Sequence, residues 1–160
     1  MAVQRAGAGS HSSSRAGRIG IHMASRILLV DDEDRILDVL ACMFKEIGWD
    51  VATAATPAEA LRLVSEEPFR MAFVDNYIGS IEGLELIEQL RAVDPSLQFV
   101  IMTGDPNIET AIKAIKKGIA DFLRKPFRFA DLLVSIEHVN RKIDREQQKK
   151  DILAGCKDRH

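Results

Sequence analysis

Four consecutive acids, Asp31, Asp32, Glu33 and Asp34, follow directly on the apolar run ILLV. Like charges packed together repel each other, so either a solvated helix start or a bound cation must accommodate them. Glu33 and Asp34 are best explained as first-turn acids that favour the dipole of a following helix. Asp31 and Asp32 are then left as candidate ligands. Oxygen ligands with no Cys or His nearby suit Mg²⁺, which completes its octahedron with waters and phosphate oxygens.

Three more side chains able to do chemistry stand at the ends of apolar runs further along the chain. Asp75 closes the run MAFVD, Thr103 follows QFVIM, and Lys125 follows ADFLR. A third carboxylate, a hydroxyl and an ammonium group would therefore join the acids if these runs end at one place. Whether they meet depends on the elements that carry them.

The apolar runs have the length of β-strands and are apolar on nearly every residue, which is typical of parallel strands buried on both faces. Such strands belong to a sheet that helices cover on both sides. We predict strands at 26–30, 50–54, 71–75, 98–102 and 120–124.

Amphipathic segments with helix signals separate these strands. Thr56 followed by Glu59 has the pattern of a capping box, and Asn107 is suited to cap a later helix. The spacing of apolar residues predicts five helices, of which the fourth carries an apolar face formed by Ile108, Ala111, Ile112 and Ile115.

Five strands that alternate strictly with five helices predict an α/β fold with right-handed crossovers. We expect a flavodoxin-like, doubly wound, five-stranded parallel sheet, whose ligand site lies at the carboxyl ends of the strands. With the strand order 2-1-3-4-5, the first and third strands are neighbours. Asp31, Asp32 and Asp75 then come close enough to repel strongly unless a cation joins them.

Composition narrows the class of protein. With 160 residues, 46% of them hydrophobic, the chain has enough material for one well-buried core. Residues 27–140 hold 20 of the 24 acidic residues but only 11 of the 22 basic ones, which disfavours a nucleic-acid surface. No apolar run approaches the length of a membrane span, and two distant cysteines suggest no disulfide framework. We expect a cytoplasmic protein without direct nucleic-acid or membrane contact.

Four segments carry a family resemblance: ILLVDDE, FVDNYIGSIEGLELI, VIMTG and ADFLRKPF. Together they resemble the receiver domain of bacterial two-component response regulators over about residues 25–143. An acidic pair alone is weak support. An acidic pair, an Asp, a Thr and a Lys-Pro, each at the end of the appropriate strand, are strong support together.

The resemblance implies a phosphoacceptor and a metal site. Asp75 would take a phosphoryl group from the phosphohistidine of a histidine kinase. Asp31 and Asp32 would hold Mg²⁺, with Asp75 and the backbone carbonyl of Tyr77 completing the protein ligands. Because the carboxylate and the phosphoryl group are both negative, catalysis would consist mostly of positioning and charge neutralisation.

The resemblance also implies a switch. Lys125 would contact one phosphoryl oxygen and Thr103 would hydrogen-bond another, which draws the loop after Thr103 inward. Phe122 matches the aromatic residue that turns inward to fill the vacated space. Since Phe lacks the hydroxyl of the commoner Tyr, an outward rotamer gains no hydrogen bond from water. We therefore expect a population biased toward the inward form.

One position near the site differs from the family's usual residue, and two others lie where the family controls the rate of dephosphorylation. Gly79 stands where the family most often has Pro, so we expect a looser loop before the third helix. Tyr77 and Asp105 fall at positions that tune the attack of water on the phosphoryl group. A bulky Tyr could shield that group and an Asp could orient water, so their tendencies oppose each other. Pro126 hints at a cis peptide, as in the family.

The predicted organisation has three parts. Residues 1–24 would be a disordered or vector-like extension, because they are rich in Gly, Ser, Ala and Arg. Residues 25–143 would form the receiver domain. Residues 144–160 would be a polar C-terminal helical extension or tail.

The predicted function is a phosphorylation-dependent signalling switch within a phosphorelay. It would catalyse only its own phosphotransfer and autodephosphorylation and would otherwise be no enzyme. Its partners would be a histidine kinase or phosphotransfer protein and a downstream effector protein. The effector would bind the surface of the fourth helix, fifth strand and fifth helix, and a homodimer stays open.

Four alternatives compete with this function. The first is a receiver cut from a larger DNA-binding or ATPase-containing transcriptional regulator. A flavodoxin-type cofactor carrier needs a hydroxyl- and glycine-rich loop after the first strand, and the DDED sequence would repel its phosphate. A haloacid-dehalogenase-type phosphatase needs an acid two residues after its nucleophile, where Tyr77 stands. A degenerate scaffold is disfavoured because every expected catalytic side chain is present.

Overall fold

The computed structural model describes residues 26–105 and 107–158. The expectation for residues 1–24 falls outside these ranges. Within them, parallel strands alternate with helices as predicted. A short hairpin of two strands, each two residues long, is also present. In chain order the elements are β1 (Arg26–Val30), α1 (Asp34–Glu46), β2 (Asp50–Ala54), α2 (Pro57–Glu66), β3 (Met71–Asp75), β4 (Tyr77–Ile78), β5 (Ile81–Glu82), α3 (Gly83–Val93), β6 (Gln98–Thr103), α4 (Ile108–Lys116), β7 (Asp121–Arg124) and α5 (Phe129–Asp158).

The main sheet has five parallel strands in the order β2-β1-β3-β6-β7. This order confirms the predicted 2-1-3-4-5 arrangement, since β6 and β7 are the fourth and fifth strands of the sheet. Asp75 at the end of β3 lies opposite Met102 of β6, and Thr103 lies opposite Arg124 of β7. The carboxyl ends of four neighbouring strands therefore share one edge of the sheet.

Two apolar layers hold the sheet between the helices. Leu28 and Val30 of β1 belong to one buried cluster, whereas Ile27 and Leu29 belong to the other. Successive side chains of a strand point to opposite faces, which explains why these strands are apolar throughout. Each fully buried side chain of this size contributes about 1.5–3 kcal/mol to folding. The rigid middle of the strands thereby fixes the positions of the residues that follow them.

The helix starts follow the sequence signals with one difference. Asn107 Oδ1 accepts from Thr110 N–H at 2.8 Å, and Thr56 Oγ1 accepts from Glu59 N–H at 3.2 Å. The Glu59 carboxylate, however, accepts from Ala55 N–H at 3.1 Å. The reciprocal half of the capping box therefore reaches one residue further back than the pattern predicts.

The apolar face of α4 lies partly toward solvent. Ile112 and Ile115 are 47% and 74% exposed, whereas Ala114 is buried. Periodicity identifies an apolar stripe about 100° wide, and a stripe of that width does not fix the rotation of a nine-residue helix. The spacing therefore predicts that Ile112 and Ile115 share a face of α4, but it does not specify which way that face points.

A short antiparallel hairpin between β3 and α3 was not predicted. Tyr77 pairs with Glu82 and Ile78 with Ile81, and Gly79 makes the turn with φ +65°. Ile78 is buried in the core, which anchors the hairpin. The expected looseness of this segment stays a prediction.

Helix α5 continues well past the sheet. Arg70, whose side chain is 12% exposed, donates to Asn140 Oδ1 at 2.9 Å and lies 3.9 Å from Asp144. Gln98 Nε2 donates to Glu146 Oε1 at 3.2 Å. The helix is thus attached to the amino-terminal edge of the sheet as far as Glu146. We infer that the folded unit ends a few residues after the predicted boundary at 143. None of the helices described is both long and apolar enough to cross a membrane.

We predict that a chain ending at residue 147 has nearly the same free energy of unfolding as the full chain, because residues 147–155 are exposed. A chain ending at residue 139 should lose about 2–4 kcal/mol, since it leaves the Arg70 guanidinium without its partners and uncovers apolar surface. Urea unfolding measures both. Equal stability of the two shortened chains would contradict the proposed attachment.

Candidate functional site

Asp31 and Asp32 follow the last residue of β1 but differ in environment. Asp31 N–H continues the ladder to Ala54 O at 3.2 Å, and its carboxylate is fully buried. Asp31 Oδ1 accepts from Glu33 N–H at 2.9 Å, which orients the side chain at the start of α1. Asp32 is exposed, and its Oδ2 accepts from Gly79 N–H at 3.0 Å. One acid is held by the core and the other by the hairpin.

Asp75 is held by the backbone around it. Asn76 N–H donates to Asp75 Oδ1 at 2.9 Å and to Met102 O at 2.8 Å. Gly83 N–H donates to Asn76 O at 2.6 Å, so the start of α3 closes on the chain just after β3. A Cβ at Gly83 would lie 2.2 Å from Asp75 O, a distance that no real contact allows. Glycine at position 83 is therefore required for the close approach.

The three aspartates converge. One carboxylate oxygen from each of Asp31, Asp32 and Asp75 lies within 4.8 Å of the others. All the donors in this group are carboxylate oxygens, the ligand type that hard divalent cations prefer. The group could therefore hold such a cation.

Lys125 lies against this cluster. Its Nζ donates to Asp31 Oδ2 at 2.9 Å and to Asp75 Oδ1 at 3.1 Å. Its backbone N–H donates to Thr103 O at 2.7 Å, so the pairing of β6 with β7 sets its position. The Lys125–Pro126 peptide bond is cis, as the resemblance implied. One ammonium group thus bridges the acids of β1 and β3.

The expected switch residues lie nearby in the fold. The Thr103 side chain is buried, and its Oγ1 accepts from Asp105 N–H at 3.1 Å. Phe122 is half-buried and packs against the core cluster that includes Ala114. Tyr77 is 55% exposed beside the hairpin turn. Thr103 thus ends β6 and Phe122 lies on β7, and the roles of all three residues stay predictions.

A profile of the response regulator receiver domain matches residues 27–137. The chain belongs to this family. The receiver is 41% identical over 101 residues to the alginate biosynthesis transcriptional regulatory protein AlgB of Pseudomonas putida, a match covering 63% of this chain and 22% of AlgB. The structure of NtrX from Brucella abortus superimposes with a TM-score of 0.75 at 32% identity, covering 81% of this chain and 30% of NtrX. This chain spans less than a third of the length of those two relatives.

A third similar structure is that of a response regulator from Burkholderia pseudomallei with a phosphorylated aspartic acid, calcium ion and citrate. It superimposes with a TM-score of 0.67 at 28% identity, and the match covers 80% of this chain and 74% of that one.

The charges of the receiver site are coupled. Burial raises the pKa of Asp75, and repulsion from Asp31 adds to the increase, which Lys125 only partly offsets. Burial by itself lowers the pKa of Lys125, but the hydrogen bonds and charges of Asp31 and Asp75 outweigh it and raise that pKa overall. The site therefore favours the charged form of Lys125 and disfavours the ionised form of Asp75.

Sequence reasoning missed the backbone groups of the site. Gly79 and Asn76 contribute backbone N–H groups, and residue type does not indicate which backbone groups point into a site. Gly83 had a weak signal, because glycine disfavours a helix and yet opens α3.

We expect Gly83→Ala to lower the free energy of unfolding by about 1–3 kcal/mol, because the added methyl group must push the backbone of Asp75 away. Gly155→Ala is the matched control. Its Cβ meets nothing within 4 Å on α5, so it should be neutral or stabilising by up to about 1 kcal/mol. Chemical denaturation measures both; a Gly83→Ala variant as stable as the unmodified chain would contradict the close approach.

In metal-free buffer, Asp75→Asn should raise the thermal unfolding midpoint at neutral pH. Because the folded state raises the pKa of Asp75, ionisation above that pKa costs folding stability. The gain should shrink as the pH falls through the folded-state pKa and vanish below the unfolded-state pKa, where the carboxyl group is protonated in both states. Calorimetry across this range measures it. Asp151→Asn, on the exposed part of α5, is the control. A lower midpoint for Asp75→Asn at neutral pH would disprove the expected strain.

Proposed function

We propose that Asp75 accepts a phosphoryl group from the phosphohistidine of a histidine kinase or phosphotransfer protein. One observation carries the proposal: three carboxylates at the ends of β1 and β3 converge, and Lys125 bridges two of them. The regulator from Burkholderia pseudomallei carries a phosphorylated aspartic acid, which supports an aspartate as the acceptor.

In the transfer, a carboxylate oxygen of Asp75 forms a bond to phosphorus as the bond from phosphorus to the histidine nitrogen breaks. The electron pair of that bond returns to the imidazole, and the product is an acyl phosphate on Asp75. Lys125 is close enough to Asp75 to reach a phosphoryl oxygen there. Its positive charge would stabilise the negative charge that spreads over the transferring group.

The acidic cluster fits Mg²⁺. Asp31, Asp32 and Asp75 would hold it. By the family resemblance, the backbone carbonyl of Tyr77 would be a further ligand. When bound, the ion would neutralise phosphoryl charge and orient the group for in-line transfer. The chain contributes a preformed set of oxygens, because the N–H groups of Glu33, Asn76 and Gly79 already orient the three carboxylates.

Phosphorylation would act on Thr103 and Phe122. The Thr103 hydroxyl would leave Asp105 N–H to bond a phosphoryl oxygen, which rearranges the loop that leads into α4. The half-buried Phe122 is compatible with the bias toward the inward form. Water would later release phosphate from Asp75, with Tyr77 opposing and Asp105 favouring its access.

The output surface would comprise α4, β7 and α5, where Ile112 and Ile115 expose apolar area. In one arrangement, a separate downstream protein binds this surface. The length of AlgB and NtrX, together with the continuation of α5 past the sheet, supports the alternative in which the receiver regulates a further domain of a larger transcriptional regulator. In either arrangement the receiver acts on its own phosphoryl group alone.

Incubation with a small phosphoryl donor tests the acceptor. Intact mass should rise by one phosphoryl group only when both donor and Mg²⁺ are present, and Asp75→Asn should abolish the increase. Lys125→Ala should slow modification by about 10²–10³-fold, because it removes a charge that acts in the transition state. Asp121 of β7 is partly buried beside His138 and lies outside the acidic cluster, so Asp121→Asn is a control that should react normally. Modification that persists in Asp75→Asn would falsify the assignment.

A further inference from the structure

The hydrogen bond between Gly79 and Asp32 joins two parts of the site that are 47 residues apart in sequence. Asp32 is exposed and lies beside two other carboxylates, so nothing in the apolar core holds its side chain in place. Repulsion from Asp31 and Asp75 favours rotamers that point away from the cluster. The N–H of Gly79 opposes this tendency by holding one oxygen of Asp32 at 3.0 Å. The remaining lone pairs of the carboxylate stay available for other partners.

The backbone at Gly79 explains why this hydrogen bond exists in this chain. Gly79 has φ +65°, a left-handed conformation that glycine adopts without steric cost. A Cβ at this position would meet nothing within 4 Å, so glycine is needed for its backbone conformation rather than for space. Proline, the usual residue at this position of the family, has no N–H and fixes φ near −65°. A chain with proline here could not make the bond to Asp32.

We propose that Gly79 is a positioning residue of the cation site, which holds Asp32 toward Asp31 and Asp75 and so couples cation binding to the β4–β5 hairpin. This inference rests on the proposed function, because it takes the acidic cluster to be a Mg²⁺ site. The N–H of Gly79 would raise the affinity for Mg²⁺ by fixing the Asp32 carboxylate, and Asp32 itself would remain the ligand. Groups that orient metal ligands in this way typically change affinity by about 10–100-fold.

Mg²⁺ titration by calorimetry tests the proposal on five forms of the full chain: the unmodified protein, Gly79→Asn, Gly79→Pro, Asp32→Ala and the Gly79→Pro, Asp32→Ala double variant. Gly79→Asn keeps the N–H and tolerates positive φ, so its affinity should stay within about twofold. Gly79→Pro should lose about tenfold. Within the Asp32→Ala background, Gly79→Pro should cause no further loss, because the carboxylate it positions is gone.

A second measurement does not depend on proline being tolerated. Amide hydrogen exchange in the metal-free chain should show that Asp32→Ala speeds exchange at Gly79. The amide of Gly118 is the matched control: this glycine also has positive φ and donates to Ile115 O at 3.0 Å, far from Asp32 in sequence. Its exchange should not change.

Three results would overturn the proposal. They are a Gly79→Pro variant with unmodified Mg²⁺ affinity, an additive loss in the double variant, and unchanged exchange at Gly79 in Asp32→Ala. Failure of the unmodified chain to bind Mg²⁺ would instead remove the metal site of the proposed function and the inference with it. If only the proposed role of Gly79 is wrong, the unmodified chain still binds Mg²⁺ and is still phosphorylated on Asp75.

Discussion

Repulsion among three carboxylates at one edge of the sheet is the constraint on which the rest of the site depends. Asp31 is fully buried, and a buried ionised carboxylate is tolerated only with a partner that carries opposite charge or strong donors. Lys125 supplies the charge and the Glu33 N–H supplies a donor. The ammonium group is placed by the pairing of β6 with β7, whereas the acids are placed by β1 and β3. Balance of charge therefore requires the strand order that the fold provides.

The parts of the receiver differ in how firmly the core holds them. The central strands lie between two buried clusters, and α3 contributes a continuous buried stripe that includes Leu86, Ile87 and Leu90. Helix α4, by contrast, buries Ala114 while its larger side chains Ile112 and Ile115 face outward. Elements with little buried apolar area open at lower free energy. A change at Thr103, which precedes α4 by a short loop, would thus meet less resistance in this helix than in α3.

Much of the fold could be predicted because its cause lies in residue type. Strands apolar on both faces indicate a covered parallel sheet, and reactive residues at their ends indicate where chemistry gathers. The missed features have another origin. Two strands of two residues each, β4 and β5, are too short for any alternation to show. Gly79 acts through a backbone N–H, and Gly83 through the absence of a Cβ. The rotation of α4 depends on neighbours that its own periodicity does not specify.

Gly79 and the proline more usual at its position represent two ways to fix one loop. Proline restricts the unfolded chain and so stabilises a compatible loop by about 0.4–1 kcal/mol, whatever its surroundings. Glycine raises the entropy lost on folding, and the loop then depends on contacts to stay in place. In this receiver the contacts include the buried Ile78 and the bond to Asp32. The Gly79–Asp32 hydrogen bond is exposed to solvent, and such a bond contributes about 0.5–1.5 kcal/mol, which is comparable to the stabilisation that proline would supply. The order of the loop is then tied to the charge of the acidic cluster, and a cation that binds the cluster acts on the hairpin as well.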